Sequence, residues 1–301
     1  MTLSIAAVER ETGLSKDTLR VWERRYGFPS PLRDGQGERA YASPQIDKLR
    51  ILKRLIDAGH RPGQLMSMSA EELQQLSERS VRVGRGAVES ATGTELASLL
   101  ALLREHEVGR LRSQLRQARV ALGLSAFVTE VIAPLNTMVG DAWMRGQLAV
   151  FQEHCYTEIV QAVLRAGIHS LPEATPQQRP RVILSTLPGE LHGLGLLMAE
   201  ALFAAEGARC FGLGVRTPVW DLVLATEAYG ADLVALSFTG VMNPNQVVED
   251  LTELRAKLPP EVEVWAGGSA PVLHRRPVPG VRAMKSLTEL PEGLRRWHAE
   301  H

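Results

Sequence analysis

Residues 181–195 read RVILSTLPGELHGLG: an apolar run, a Gly-rich turn, and the start of another apolar segment. Val182–Leu187 has the length and composition of a buried strand. Cys210–Val215, Leu233–Phe238 and Val262–Ala266 repeat that signal, with a weaker run at Val281–Met284. Helical patterns fill the gaps, at 194–205, 218–229, 245–257 and 287–299. Strands alternating with helices predict a parallel sheet covered on both faces. In such a sheet the turn after the first strand lies at the carboxyl edge, where ligands bind. His192 stands in that turn, with Glu190 two residues before it and Gly195 three after. The turn lacks the spacing of a dinucleotide loop and has no phosphate-binding lysine, so a nucleotide ligand is disfavoured.

Upstream, 95–168 carries helical periodicity. Leu124, Phe127, Val128, Val131, Ile132, Leu135, Met138 and Val139 make one stripe; Phe151, Cys155, Ile159 and Val163 make another. With two preceding helical stretches they predict an antiparallel four-helix bundle over 94–175. Residues 79–93 (RSVRVGRGAVESATG) have no apolar period and read as part of a linker spanning 76–93.

Residues 1–75 are punctuated differently. Ser4–Arg10 reads as a short helix, Gly13-Leu14 as a tight turn, and Ser15 as the N-cap of a helix over Lys16–Tyr26 with Leu19 and Trp22 inward. The segment 27–31 (GFPSP) stops it. Arg33–Tyr41 fits a small hairpin. Ser43-Pro44 restarts a helix whose stripe is Ile46, Leu49, Leu52, Leu55 and Ile56, ending at Gly59, and Ser69 to Glu72 forms a capping box. Helix, turn, helix is the plan of a DNA reader. Lys16, Thr18, Arg20, Arg24 and Arg25 on the second helix are the candidate DNA contacts, with Arg39 and Tyr41 on the hairpin placed to hold the phosphate backbone.

Composition supports this division. Lys+Arg and Asp+Glu both number 34, so the formal charge is zero. Residues 1–62 nevertheless hold 12 basic against 8 acidic side chains, a net of +4, which leaves −4 for the remainder. The positive excess lies where a nucleic acid would meet it. A hydrophobic fraction of 45% supports packed cores and excludes a wholly disordered chain. The two cysteines, Cys155 and Cys210, suit neither a disulfide framework nor a four-thiolate metal site. No segment reads as a signal peptide or membrane span, so the expected compartment is the cytoplasm.

Three motifs then coincide. Thr18-Leu-Arg-Val-Trp-Glu-Arg-Arg-Tyr-Gly-Phe-Pro-x-Pro-x-Arg33, with Gly37-x-Arg39-x-Tyr41, resembles the winged helix-turn-helix of MerR-family regulators. Glu190-x-His192-x-x-Gly195, followed by Ser237-Phe-Thr239 and Gly267-Gly268, resembles the motif set of cobalamin-binding domains. Trp143-x9-Glu153-His154 resembles the cap of CarH/LitR-type photoreceptors, which join these parts in the same order. The fold implied is multidomain, α plus α/β: a winged helix-turn-helix (1–75), the linker (76–93), a four-helix-bundle cap (94–175) and a Rossmann-like cobalamin domain with a parallel sheet (178–301).

The resemblance implies much about function. His192 becomes the lower axial cobalt ligand, oriented by Glu190. Gly195, Ser237, Thr239, Gly267 and Gly268 fall at the positions that hold the nucleotide tail. Trp143, Glu153 and His154 cover the upper face. The cofactor implied is adenosylcobalamin, with methylcobalamin as the alternative form. The partners implied are a double-stranded DNA operator and further copies of the chain, as dimer or tetramer, with no membrane. The function implied is a repressor controlled by cofactor and light, not an enzyme. Glu190 stands where the family has Asp, and Thr239 where it has Leu. Met144 follows the cap Trp where light-sensing members can carry His. A light-independent cobalamin sensor of the same fold stands beside this reading. So does a corrinoid methyl-transfer carrier, which leaves the N-terminal segment unexplained.

Overall fold

A computed structural model describes residues 2–33, 35, 37–57, 60–69, 71–73, 75–76, 91–240 and 242–301. Two compact units result, one from described residues within 1–89 and 140–149, the other from those within 90–139 and 150–301.

In the first unit, Ser4 caps a helix over Ile5–Thr12, which ends two residues later than its pattern predicts. Gly13 closes it in the left-handed conformation, and Ser15 caps the next helix, Lys16–Tyr26, by accepting from Thr18 N–H. A three-stranded antiparallel sheet follows from β1 (Thr2–Ser4), β2 (Leu32–Arg33) and β3 (Arg39–Ala42), in the order β1-β3-β2. The β2–β3 hairpin is the predicted wing. Helix Ser43–Asp57 closes the core, in which Val8, Leu19, Trp22, Tyr41, Leu49 and Leu52 are buried. The predicted stop at Gly59 lies outside the described residues. Ser69 and Glu72 form the expected box: Ser69 N–H donates to Glu72 Oε2 at 2.7 Å and Glu72 N–H to Ser69 Oγ at 3.1 Å.

Residues 77–90 of the predicted linker lie outside the described residues. Its last three, 91–93, already belong to a helix, Ala91–Arg104. Helices Val108–Leu122 and Val150–His169 and a third segment from Leu124 to Met144 complete the four-helix arrangement. That third segment is not one regular α-helix. Phe127–Ile132 is a π-helical stretch. Its four apolar residues, Phe127, Val128, Val131 and Ile132, are all buried, and a wider turn sets them on one side. Thr129 Oγ1 donates back to Ser125 O at 3.1 Å, competing with the regular backbone ladder. The predicted stripe through Phe151 needs correction, because Phe151 is 61% exposed. Gln152, Tyr156, Ile159, Val160 and Val163 are the buried set.

Helix Val150–His169 packs along helix Leu194–Ala205 of the α/β layer. The sheet comprises β4 (Arg181–Ser185), β5 (Arg209–Gly214), β6 (Leu233–Phe238), β7 (Glu263–Gly268) and β8 (Val281–Ala283). All pairings are parallel and the order is β5-β4-β6-β7-β8. Every residue of β6 is buried, as a central strand covered on both faces requires. The order in which strands are added reverses between β4 and β6, since β5 lies outside β4 and β6 on its other side, so the crevice at their carboxyl ends is the switch point where ligands settle.

Candidate cofactor site

Glu190 and Thr239 meet at that switch point. Glu190 lies in the turn after β4 and Thr239 directly after β6. Glu190 is 1% exposed yet fully hydrogen-bonded. Its Oε1 accepts from His192 N–H at 3.0 Å and from His192 Nδ1 at 2.6 Å. Its Oε2 accepts from Thr239 N–H and from Thr239 Oγ1, both at 2.7 Å. Burial pushes this carboxyl up, but the bonds from His192 and Thr239 outweigh it and hold its pKa at about 2. The group is therefore a carboxylate at neutral pH. With Nδ1 committed to it, the imidazole has Nε2 as the nitrogen suited to a metal. The His192 side chain is 57% exposed.

Three glycines shape the same edge. A Cβ on Gly195 would stand 2.9 Å from Ser237 Oγ, so the helix start and the end of β6 approach closely. Gly268, at φ +111°, could take no Cβ, which would fall 2.1 Å from the Phe238 carbonyl oxygen. Gly267 is less constrained, with Met284 Cβ 3.6 Å from its ideal Cβ. Glu190, His192 and Thr239 thus form one cluster, and Gly195 and Ser237 meet in close contact.

Thr186 escaped the sequence reading. Its buried Oγ1 donates to Glu190 O at 2.8 Å and accepts from Arg216 N–H at 2.9 Å, tying the His192 turn to the loop after β5. The only signal was a hydroxyl pair, Ser185-Thr186, ending an apolar run. Gln152 was likewise missed. It is buried, and its Nε2 donates to the Leu103 and Arg104 carbonyls at 3.4 Å, capping helix Ala91–Arg104.

Glu153 and His154 occupy the first turn of helix Val150–His169. Glu153 accepts from Thr157 Oγ1 at 2.8 Å, and its Oε2 lies 3.7 Å from His154 Nε2. His154 is well exposed. Trp143 and Met144, in the other unit, end helix Ala133–Met144, and both are half-buried.

The candidate DNA residues divide. Arg24 and Arg25 are exposed on the last turn of their helix. Lys16 lies 3.6 Å from Glu9, and Arg20 lies 3.2 Å from Asp17, both at the surface. Thr18 Oγ1 is 2.8 Å from Ser15 Oγ and so joins the cap. Arg39 Nε donates to Glu23 Oε2 at 2.8 Å, fastening the wing to the second helix. Tyr41 needs correction: it is fully buried, so its ring serves the core and cannot hold a DNA backbone.

Comparison with known proteins agrees with this layout. A model described as MerR HTH family regulatory protein matches residues 3–71. Two models described as B12 binding domain match 95–166 and 180–282. The chain is 36% identical over 87% of its length to the HTH-type transcriptional repressor CarH of Myxococcus xanthus, covering 87% of that protein. It belongs to the CarH-type family of MerR regulators with B12-binding domains. A second member, the repressor CarA of Myxococcus xanthus, is 30% identical over 89% of the chain and 88% of its own length. The family's full-length relatives found here are thus repressors, not enzymes. The monomethylamine corrinoid protein of Methanosarcina barkeri shares the fold over 66% of this chain and 96% of its own, with a TM-score of 0.52 at 15% identity.

Proposed function

We propose that this protein is a cytoplasmic, DNA-binding transcriptional repressor whose self-association and operator affinity are set by bound adenosylcobalamin and by light. The observation that carries the reading is the Glu190–His192–Thr239 cluster at the switch point. An ionised, buried carboxylate that fixes one imidazole nitrogen is the support a metal-binding histidine needs. The missing side chain at Gly195 lets the helix start lie against Ser237 at the same edge.

The bound cofactor supplies a cobalt–carbon bond that visible light breaks. His192 is the residue that would hold the cobalt, through Nε2. Glu190 keeps its ring in one orientation. Ser237 would offer its hydroxyl to the tail, and Gly267 and Gly268 are the residues assigned beside it. Trp143, Glu153 and His154 are the residues that the family resemblance assigns to the upper face. Several DNA-binding heads in one oligomer gain affinity for one operator by effective concentration. The pairing of a MerR-type head with cofactor domains, as in CarH, supports control of transcription over a purely carrier role.

The test is to load apo-protein with adenosylcobalamin in the dark, record its spectrum, sizing-column elution and affinity for its operator, and repeat all three after green light. The expected result is a dark oligomer that falls apart and loses DNA affinity with a spectral change. His192→Ala should lower cofactor retention and alter the spectrum. A second reading, a light-independent cobalamin sensor, is favoured by Met144, a thioether beside Trp143. Bound cofactor with size and DNA affinity indifferent to light would establish that reading instead.

A further inference from the structure

We propose that helix Val108–Leu122 of the bundle is a second DNA-contacting surface, laying Arg112 and Arg116 against the phosphates of duplex DNA. The proposal rests on the DNA-binding reading above and extends it to a part of the chain outside the MerR-type match.

The helix reads VGRLRSQLRQARVAL, with four arginines and no carboxylate. Residues 63–301 as a whole carry −4, so without these arginines the rest of that region carries −8. The helix is thus a basic island in acidic surroundings. Its orientation is fixed by Leu111 and Leu115, both fully buried. The opposite side turns Arg112, Ser113, Arg116 and Gln117 to solvent. Arg112, Arg116 and Arg119 follow at spacings of four and three residues, one row about 10 Å long. Arg119 is partly engaged, with Nη1 donating to Ser170 Oγ at 3.2 Å. Among the described residues, Arg112 and Arg116 have no ion pair or hydrogen bond through their side chains.

Like charges one turn apart repel, and solvated helices ordinarily relieve this with a carboxylate at the same spacing. Here the relief must come from outside. A protein partner would favour an aromatic, charge-depleted centre. This face has arginines interleaved with Ser and Gln, side chains that bond phosphate oxygens. A phosphodiester backbone fits it, and two such contacts give a sequence-independent, salt-sensitive gain.

The experiment uses the full chain, loaded with adenosylcobalamin in the dark, and a mixed-sequence duplex of about 60 base pairs titrated across a salt series by fluorescence anisotropy. Arg112→Gln/Arg116→Gln should reduce the slope of log affinity against log salt by about 2. It should also weaken binding several-fold near 0.1 M salt, about physiological ionic strength. Arg112→Lys/Arg116→Lys should keep the parent slope, since each phosphate meets a charge either way. An unchanged slope in the Gln variant overturns the proposal. So does an unchanged slope with an altered sizing-column elution, which would assign the face to contacts between copies of the chain. Arg24→Gln/Arg25→Gln tests the head separately: if it leaves affinity for the operator intact, the reading of the N-terminal helix fails whatever the bundle variants show.

Discussion

Gly195 and Ser237 meet with no room to spare: one added carbon at residue 195 would stand 2.9 Å from the Ser237 hydroxyl. Because Gly195 lies in the first turn of helix Leu194–Ala205 and its φ is unstrained, a side chain is excluded by space rather than by backbone conformation. Gly195→Val should therefore fold and yet lose at least about tenfold in adenosylcobalamin retention, near 1.4 kcal/mol. Equilibrium dialysis of the variant, with a thermal melt of its apo form, checks this. Parent-like retention would remove this edge from the cofactor's path.

Gly268 presents the opposite case. Its φ of +111° and the 2.1 Å approach to the Phe238 carbonyl oxygen leave no room in the β6–β7 ladder. Gly268→Ala should destabilise the protein by more than about 3 kcal/mol, because backbone rather than a flexible side chain must give way. A urea midpoint within error of the parent would contradict the geometry.

Tyr41 distinguishes a core role from a DNA contact. Its hydroxyl is buried without a hydrogen-bond partner. Tyr41→Phe removes that unpaired group, so stability should hold or rise by up to about 1 kcal/mol. DNA affinity should not change. A several-fold loss of affinity at unchanged stability would return Tyr41 to the interface.

Asp232 governs an acid-sensitive clamp. Its carboxylate accepts from Arg179 Nε at 3.1 Å and from Arg181 N–H at 2.7 Å. Burial raises this carboxyl, and the Arg179 and Arg181 contacts overcome that and hold it below its usual range. A carboxylate depressed in the folded state stabilises above its ordinary pKa of 3.8, and that stability is lost as pH falls through the folded value. Asp232→Asn should thus be less stable than the parent at pH 7, with the gap closing on acidification. Urea midpoints across pH provide the check. A gap that stays constant down to strong acid would rule out the titration.

Much of this was legible in the sequence, for definite reasons. The sheet was read because each strand is an apolar run closed by turn residues; β6 matches its predicted span, Leu233–Phe238. The helix after Ser15 was read because cap, stop and buried face agree. His192 stood out because a Gly-rich turn follows a strand. What stayed hidden was pairing across long separations. No local pattern shows that Thr239 bonds a carboxylate 49 residues away, that Arg39 is taken by Glu23, or that Gln152 caps a helix ended 48 residues earlier. Tyr41 and Phe151 were misplaced because an aromatic residue fits either side of a strand or helix until its neighbours are known.

The π-helical stretch at Phe127–Ile132 amounts to an α-helix carrying one residue more than its length requires. Each residue advances a helix by about 100°, so that one surplus residue sets the phase of everything after it. Wound as regular α-helix with the same residues, the segment would instead carry Leu135, Met138 and Val139 about 100° further round relative to Leu124. The facing of Leu135, Met138 and Val139 is therefore decided at least three residues upstream of them, by the winding of Phe127–Ile132.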